Sequence, residues 1–492
     1  TMAIQARRLT IERDRANQEQ AAAKEVSDFL RFDVLGQASA AGQAGPDVRP
    51  DPDIKVRTAL DRAAARIDGR FAAQPLVEVK VRETIGLTYA ELGAFDQARQ
   101  HLHRALELAR RTTSEESPET LHVLESVAWM EGASLHPAEA VRRYTELLAI
   151  YTRRSGPKDP DVLRLTHNIA WHQYADGKPE IAEPALAKVL VLAKEVLGPD
   201  AELTLNALNN LASLYLARGA WKEAEPLLAE ALAGSRRVRG AEAPATLGTM
   251  DNLASVLGQQ GRLPEAEAMR REVLAARLRT QGREHQATNL ARSSVAQNLI
   301  NQGGAARLAE AERLLLECLE ISRRNNGERA RFTNTIRANL GNLYDEQDRL
   351  GEAEAMMRDA LGGLRETHGP KHPVTLNAIE SLGFVMLREH KYQQAEQVLR
   401  ELVAAREEKS NQPWRLGFTR NLLGAALAGQ RRFAEAEPLV VGGYEQMVAQ
   451  LSTIPAFFHV FLTDSGQRVV DLYTAWGKPA QAAEWQKKLA AP

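Results

Sequence analysis

At 492 residues the chain is too long for one compact core, so several domains or a repeat array are expected. Its 63 basic and 64 acidic side chains leave a net charge of −1, which excludes a general polyanion-binding character and makes nucleic acid an unexpected partner. Aromatics reach only 5 % while Ala, Leu, Glu and Arg dominate, so all-helical packing is favoured, and the single Cys318 excludes internal disulfides.

Residues 1–36 read as one charged helix, juxtamembrane-like in character. Its second half carries Val26, Phe29, Leu30 and Phe32, enough to dock at one end. A stretch rich in Ala, Gly, Pro and Asp (37–53) reads as a flexible linker, and a helix restarts over 54–72. The opening Thr-Met points to an excised piece of a longer protein. No run of 18 apolar residues occurs, and no signal peptide is visible.

The stretch Leu203 to Gly240 shows the unit from which the rest is built. Leu208, Leu211, Ala212 and Tyr215 form one apolar helical stripe, and Arg218-Gly219-Ala220 breaks the helix. A second helix then starts near Lys222, with Pro226 placed in its first turn, where N–H groups have no intrahelical partner. Two such helices cannot bury their stripes alone and need neighbours.

The neighbours follow from alignment on an Ala of the second helix: Ala98, Ala140, Ala182, Ala224, Ala266, Ala311, Ala353, Ala395, Ala436 and Ala482. The intervals run 42, 42, 42, 42, 45, 42, 42, 41 and 46, the 45 reading as an insertion around Gly303-Gly304-Ala305. Twelve residues before the anchor stands a small residue (Gly86, Ala128, Ala170, Ala212, Ala254, Gly341, Gly383, Gly424), which lets two helices approach closely. Thirteen before stands an aliphatic residue, and nine before there is often a tyrosine, as at Tyr89, Tyr215, Tyr344 and Tyr473. Pro160, Pro244 and Pro373 stop one pair and open the next.

These columns resemble the tetratricopeptide repeat in its 42-residue form, as in kinesin light chains, over roughly 75–480. The resemblance implies an all-α, right-handed superhelical solenoid of about ten helix pairs over 54–492, with an N-terminal helix and C-terminal capping helices. ERDRANQEQAAAKEVSDFL (12–30), residues 58–98 and LYTAWGKPAQAAEWQKKLA (472–490) resemble the segment that follows the transmembrane helix in bacterial membrane serine/threonine protein kinases. No Gly-rich loop, β3 lysine, catalytic-loop or metal-binding Asp motif occurs, so this resemblance implies a regulatory or sensor half whose catalysis lies in other sequence.

The candidate site is the first-helix face opposite the apolar stripe, at 18, 15, 14 and 11 residues before each anchor. It carries Lys80, Glu83 and Thr84, then His122, Glu125, Ser126 and Trp129, then Arg164, His167, Asn168 and Trp171. Asn206, Asn209, Asn210 and Ser213 follow, then Asn252 and Asn339. Asn is a poor residue in a helix interior, so its recurrence at 168, 210, 252 and 339 asks for a reason. The resemblance implies a concave groove binding an extended protein or peptide, which an amide suits because it donates and accepts. The alternative is a ladder of Asn residues between adjacent helices. Trp129 and Trp171 similarly read either as anchors for a partner side chain or as fillers of space between helices.

Histidine spacings give no metal pair, Cys318 sits in a buried column, and no cofactor is expected. The expected function is thus a non-catalytic protein-binding scaffold, with a free-standing adaptor like the kinesin light chain as the alternative and an enzyme hidden in the array as a remoter one. A homo-oligomer is possible, and a membrane enters only through an upstream segment. The compartment follows the same choice: extracytoplasmic behind a kinase's membrane span, cytoplasmic for an adaptor.

Overall fold

The computed structural model describes residues 23–35, 56–408, 413–454 and 458–490. Among them every regular element is helical. After a helix at Val56–Ala64, the chain runs as ten helix pairs. The first helices are Pro75–Glu91, Pro118–Ala133, Pro160–Ala175, Glu202–Ala217, Pro244–Gln259, Gln286–Gln302, Arg331–Glu346, Pro373–Arg388, Pro413–Gly429 and His459–Ala475. The second helices are Phe95–Thr112, Pro137–Ser155, Pro179–Val196, Trp221–Arg239, Leu263–Gln281, Ala305–Asn326, Leu350–His368, Tyr392–Glu408, Phe433–Ala449 and Pro479–Ala490. All ten anchor alanines are buried in second helices, as the alignment expects. The chain divides into two compact units, one ending at Ala207 and the other beginning at Leu208.

In the first unit the core runs from Phe29, Ile67 and Phe71 through Leu102, Leu124 and Leu147 to Leu165 and Ile169. Much of the expected N-terminal charged helix and all of the linker at 37–53 lie outside the described residues. What is described of that helix ends in a π-helical turn, Phe29–Val34. Phe29 is buried edge-on against Phe71, at 6.3 Å between ring centroids, and Val26 packs beside it. Phe32 does not dock as expected. It is 62 % exposed under the Arg31 guanidinium, because the π-turn directs Phe29 and Val34 inward instead. The helix expected over 54–72 is shorter, ending at Ala64 and continuing in turns.

Apolar clusters of the second unit are centred on Leu228 and Met250, on Leu315 and Leu340, and on Val440 and Val469. The small column is enforced by contact. A Cβ on Gly341 would lie 2.6 Å from Met357 Cγ, and one on Gly383 would lie 2.7 Å from Leu399 Cδ2. Three added residues set the sixth pair apart: Gly303 and Gly304 both take positive φ, and the second helix then starts at Ala305, a turn earlier relative to its anchor than its neighbours do.

One sequence expectation is corrected. Pro226 lies inside the helix Trp221–Arg239, beyond the first turn, and Pro184 and Pro438 occupy the same place in their helices. All three are exposed, and so are the residues four positions earlier, Lys222, Glu180 and Ala434. Water can therefore take the carbonyl that each ring deprives of its N–H partner, and the helix continues.

Candidate ligand-binding face

The first helices bring the expected face residues into one recurring arrangement. In the first unit, Glu83 of the first pair accepts from His122 Nδ1 at 2.8 Å and from Ser126 Oγ at 2.6 Å, both of the second pair. That carboxylate holds the His122 imidazole above its ordinary pKa. Glu125 takes the same place one pair later and binds the Arg164 guanidinium, which also donates to Asp161 Oδ1 at 2.9 Å. In the second unit, Asn209 accepts from Asn252 Nδ2 at 3.0 Å, and Ser293 Oγ accepts from Asn339 Nδ2 at 3.3 Å. Glu380 accepts from Arg415 Nη1 at 3.2 Å and from Arg406. Burial works against charge on Glu380, but the two guanidiniums hold its carboxyl below the usual range.

A polar acceptor 15 residues before one anchor, or 18 in the longer sixth pair, therefore binds a donor on the next pair. Such bonds join neighbouring first helices within each unit, and they use Glu as readily as Asn. Asn168 hydrogen-bonds the Tyr144 hydroxyl, whose pKa burial pushes up to about 12. His167 is only 7 % exposed, bonded to Asn168 Oδ1 at 3.3 Å and to the Asn206 backbone, and burial lowers its pKa. Its side chain thus belongs to the interior more than to the face. Asn206, Asn209, Asn210, Asn252 and Asn339 are all half-buried.

In the column 11 before the anchor the two tryptophans differ in exposure. Trp129 is 43 % exposed, and Trp171 is half-buried against Tyr174, with centroids 5.5 Å apart. His172, next in the chain to Trp171, stacks on Tyr144 at 5.7 Å. A Cβ on Gly132 would come within 2.7 Å of His172 Nε2, so glycine is needed there.

A second bridge between pairs escaped the sequence reading. Arg262, at the turn of the fifth pair, donates to Glu225 Oε1 of the fourth at 2.7 Å and to Glu265 Oε2 of its own helix at 2.7 Å. Gln260 adds a bond to Glu225 Oε2 at 2.9 Å. Gln347 and Arg349 repeat this on Glu312, and Gln430 and Arg432 on Glu396. The signal was present as QGRLPEAE, QDRLGEAE and QRRFAEAE.

The remaining reactive side chains, Cys318 and His372, are engaged within the fold. Cys318 is fully buried, burial pushes its thiol up to about 12, and Sγ donates to Asn289 O at 3.3 Å. His372 accepts Val374 N–H as the cap of its helix, while the side chain of His368 lies outside the described residues. Among the described residues no three His, Cys, Asp or Glu side chains gather as a metal would require, and no helix is long and apolar enough to cross a membrane.

This architecture agrees with sequence and structure comparisons. No curated protein matches the chain. A kinesin light chain protein of nearly identical TPR-like repeats from Podosopora anserina is 24 % identical, covering 42 % of this chain and 98 % of its own, with a TM-score of 0.36. BtubC from P. vanneervenii is 19 % identical over 47 % of this chain and 92 % of its own, with a TM-score of 0.40. The apo form of the quorum sensor NprR from B. thuringiensis, 12 % identical, covers 79 % of this chain and 99 % of its own with a TM-score of 0.50, a likeness of fold. Residues 79–153, 161–237 and 203–279 match one family profile described as Tetratricopeptide repeat, and residues 335–374 match a second with the same description. The chain therefore carries tetratricopeptide repeats.

Proposed function

We propose that this chain is a non-catalytic scaffold that binds a protein or peptide on the first-helix face of each unit, with Trp129 and Trp171 as anchors and Arg164, Asn168 and Asn206 as polar contacts in the first, and Asn209, Asn210, Asn252 and Asn339 as polar contacts in the second. The observation that carries the reading is the exposure of Trp129 in a column whose polar neighbours are already engaged with one another. A large aromatic left in water on such a face gains most by burial against a partner. Asn side chains that spend one bond on a neighbouring helix keep further donor and acceptor capacity for a peptide main chain.

The finer reading is that the scaffold is the regulatory or sensor region of a bacterial membrane serine/threonine protein kinase. It is supported by the likeness of residues 12–30, 58–98 and 472–490 to the segment behind the membrane span of those kinases. Ligand binding would then change the separation of kinase domains. The 42-residue period shared with kinesin light chains supports the second reading, a free-standing adaptor.

The test is selection from a displayed library of random dodecapeptides against the wild-type protein. Selected peptides should lose about tenfold or more in affinity against Trp129→Ala, a truncation of an exposed side chain that leaves the melting temperature near wild type. Loss by Asn168→Ala with Asn210→Ala should accompany it. Unchanged affinity in all these variants would remove the face from consideration.

A further inference from the structure

Within the second unit a cavity of about 370 Å³ opens between the first helices of the eighth, ninth and tenth pairs. Its apolar wall comes from Phe384, Leu387, Ala428 and Leu472, and Tyr392 closes one side. Tyr392 can lie there because Gly429 has no Cβ. Phe384 stands in the column of Trp129 and Trp171, 11 residues before its anchor. Arg468 stands 14 before Ala482, the column in which other pairs place Asn.

Arg468 differs from four other enclosed arginines of this unit. Arg292, Arg337, Arg406 and Arg415 each pair with a glutamate. Arg468 instead lies between the faces of Phe384 and Phe418, with its guanidinium carbon 5.8 and 5.9 Å from their centroids. Its Nη1 donates to two neutral oxygens, Asn421 Oδ1 at 3.2 Å and Ser465 Oγ at 3.4 Å. Among the described residues no carboxylate pairs with it, and Nε and Nη2 have no protein partner. The other cation of the cavity is already committed, since Arg388 binds Asp345 at 2.6 Å and Asp348 at 2.8 Å. Asp464 and Asp471 on its own helix act on it only through space, and a guanidinium partly removed from water without a directly paired carboxylate is costly, a cost that an incoming anion relieves.

We propose that this cavity binds one carboxylate of a peptide, seated on Arg468, with an adjoining aliphatic side chain against Leu387, Ala428 and Leu472. A carboxylate fits better than a phosphate. Only one guanidinium is uncommitted, and Asp471 at the rim opposes a second negative charge. The inference rests on the peptide-binding reading above and adds a second contact region to it.

Three small probes test it by ligand-observed saturation-transfer NMR: N-acetyl-leucine, Ac-Leu-Glu-NH2 (amidated at its terminus, its side-chain carboxylate free), and Ac-Leu-NH2. Binding in the millimolar range is expected for a carboxylate probe and at least about tenfold weaker binding for neutral Ac-Leu-NH2. Preference for N-acetyl-leucine would identify a chain terminus as the source, and preference for Ac-Leu-Glu-NH2 an acidic side chain. Arg468→Gln should abolish binding of both. Ala428→Leu, which fills the cavity and leaves Arg468 untouched, should do the same if the first variant folds poorly. Equal binding of the neutral probe, no binding of any probe, or wild-type binding by Ala428→Leu would overturn the proposal. Dodecapeptides that still require Trp129 after the dipeptides fail would overturn the cavity alone; Arg468-dependent dipeptides with no Trp129 dependence would overturn the face alone.

Discussion

Asn252 Nδ2 donates to Asn209 Oδ1 at 3.0 Å, and this bond ties the first helix of the fifth pair to that of the fourth. Both amides are half-buried, so each loses a partner that water only partly replaces. Asn252→Ala and Asn209→Ala should each lower stability by about 1 kcal/mol. The double variant should cost less than their sum, by ~0.5–1 kcal/mol, in urea unfolding. Strict additivity would mean that the bond contributes nothing.

Two glycines of the same unit should respond in opposite directions to alanine. A Cβ on Gly424 would meet Val440 N at 2.8 Å and Ala436 O at 3.1 Å, backbone atoms that cannot turn aside. Gly424→Ala should therefore destabilise by about 2 kcal/mol. Gly362 is an exposed helical glycine whose Cβ would meet nothing within 4 Å, so Gly362→Ala should stabilise by ~0.5–1 kcal/mol. Thermal melts of the two variants side by side give the comparison.

Acid should weaken the first unit through its buried histidines. His101 is buried against Tyr89, its ring 5.7 Å away, and burial with the nearby Arg82 pulls its pKa down to about 4. Burial lowers His167 and His172 in the same direction. Unfolding then takes up protons between the ordinary value of about 6.5 and the folded values, so the stability is complete above that range and is lost as pH falls toward 4. For His101 the contribution is ~2 kcal/mol, allowing for its partial solvation. His101→Phe should flatten the pH dependence of the urea midpoint between pH about 6.5 and 4.

Cys318 should ignore thiol reagents in the native state. Its sulfur is enclosed and its pKa stands at about 12, so almost no thiolate exists near pH 8. A thiol-exchange reagent at pH 8 should label it only at the rate of unfolding, and prompt labelling would mean that the sixth pair opens locally.

The fold was legible because its rules are written as exclusions. A position that tolerates only Gly or Ala, as at Gly341 and Ala254, marks helix contact by size alone, and repetition makes the mark unmistakable. The inter-pair bonds were harder to read. Their acceptors are Glu83, Glu125, Asn209 and Glu380, alike in chemistry but not in letter, so attention fell on the recurring Asn one position away. His167 shows the same limit, since a residue at the border of a helix face turns inward or outward with its neighbours' bulk. The cavity beside Arg468 was invisible for another reason. It is made by what is absent, alanines and a glycine facing Phe384, and the irregular last intervals hide that Arg468 shares the Asn column.

The turn added at the start of Ala305–Asn326 has a consequence for how the chain finds its register. Where every unit has the same length, a second helix can pair with the first helix of its own unit or of the next with nearly equal geometry, and folding in such arrays can begin anywhere. Gly303, Gly304 and the early helix start break that equivalence at one point. A segment displaced by one unit meets a helix about 4.5 Å too long or too short there, so the mismatch acts as an index notch against which the neighbouring units are counted.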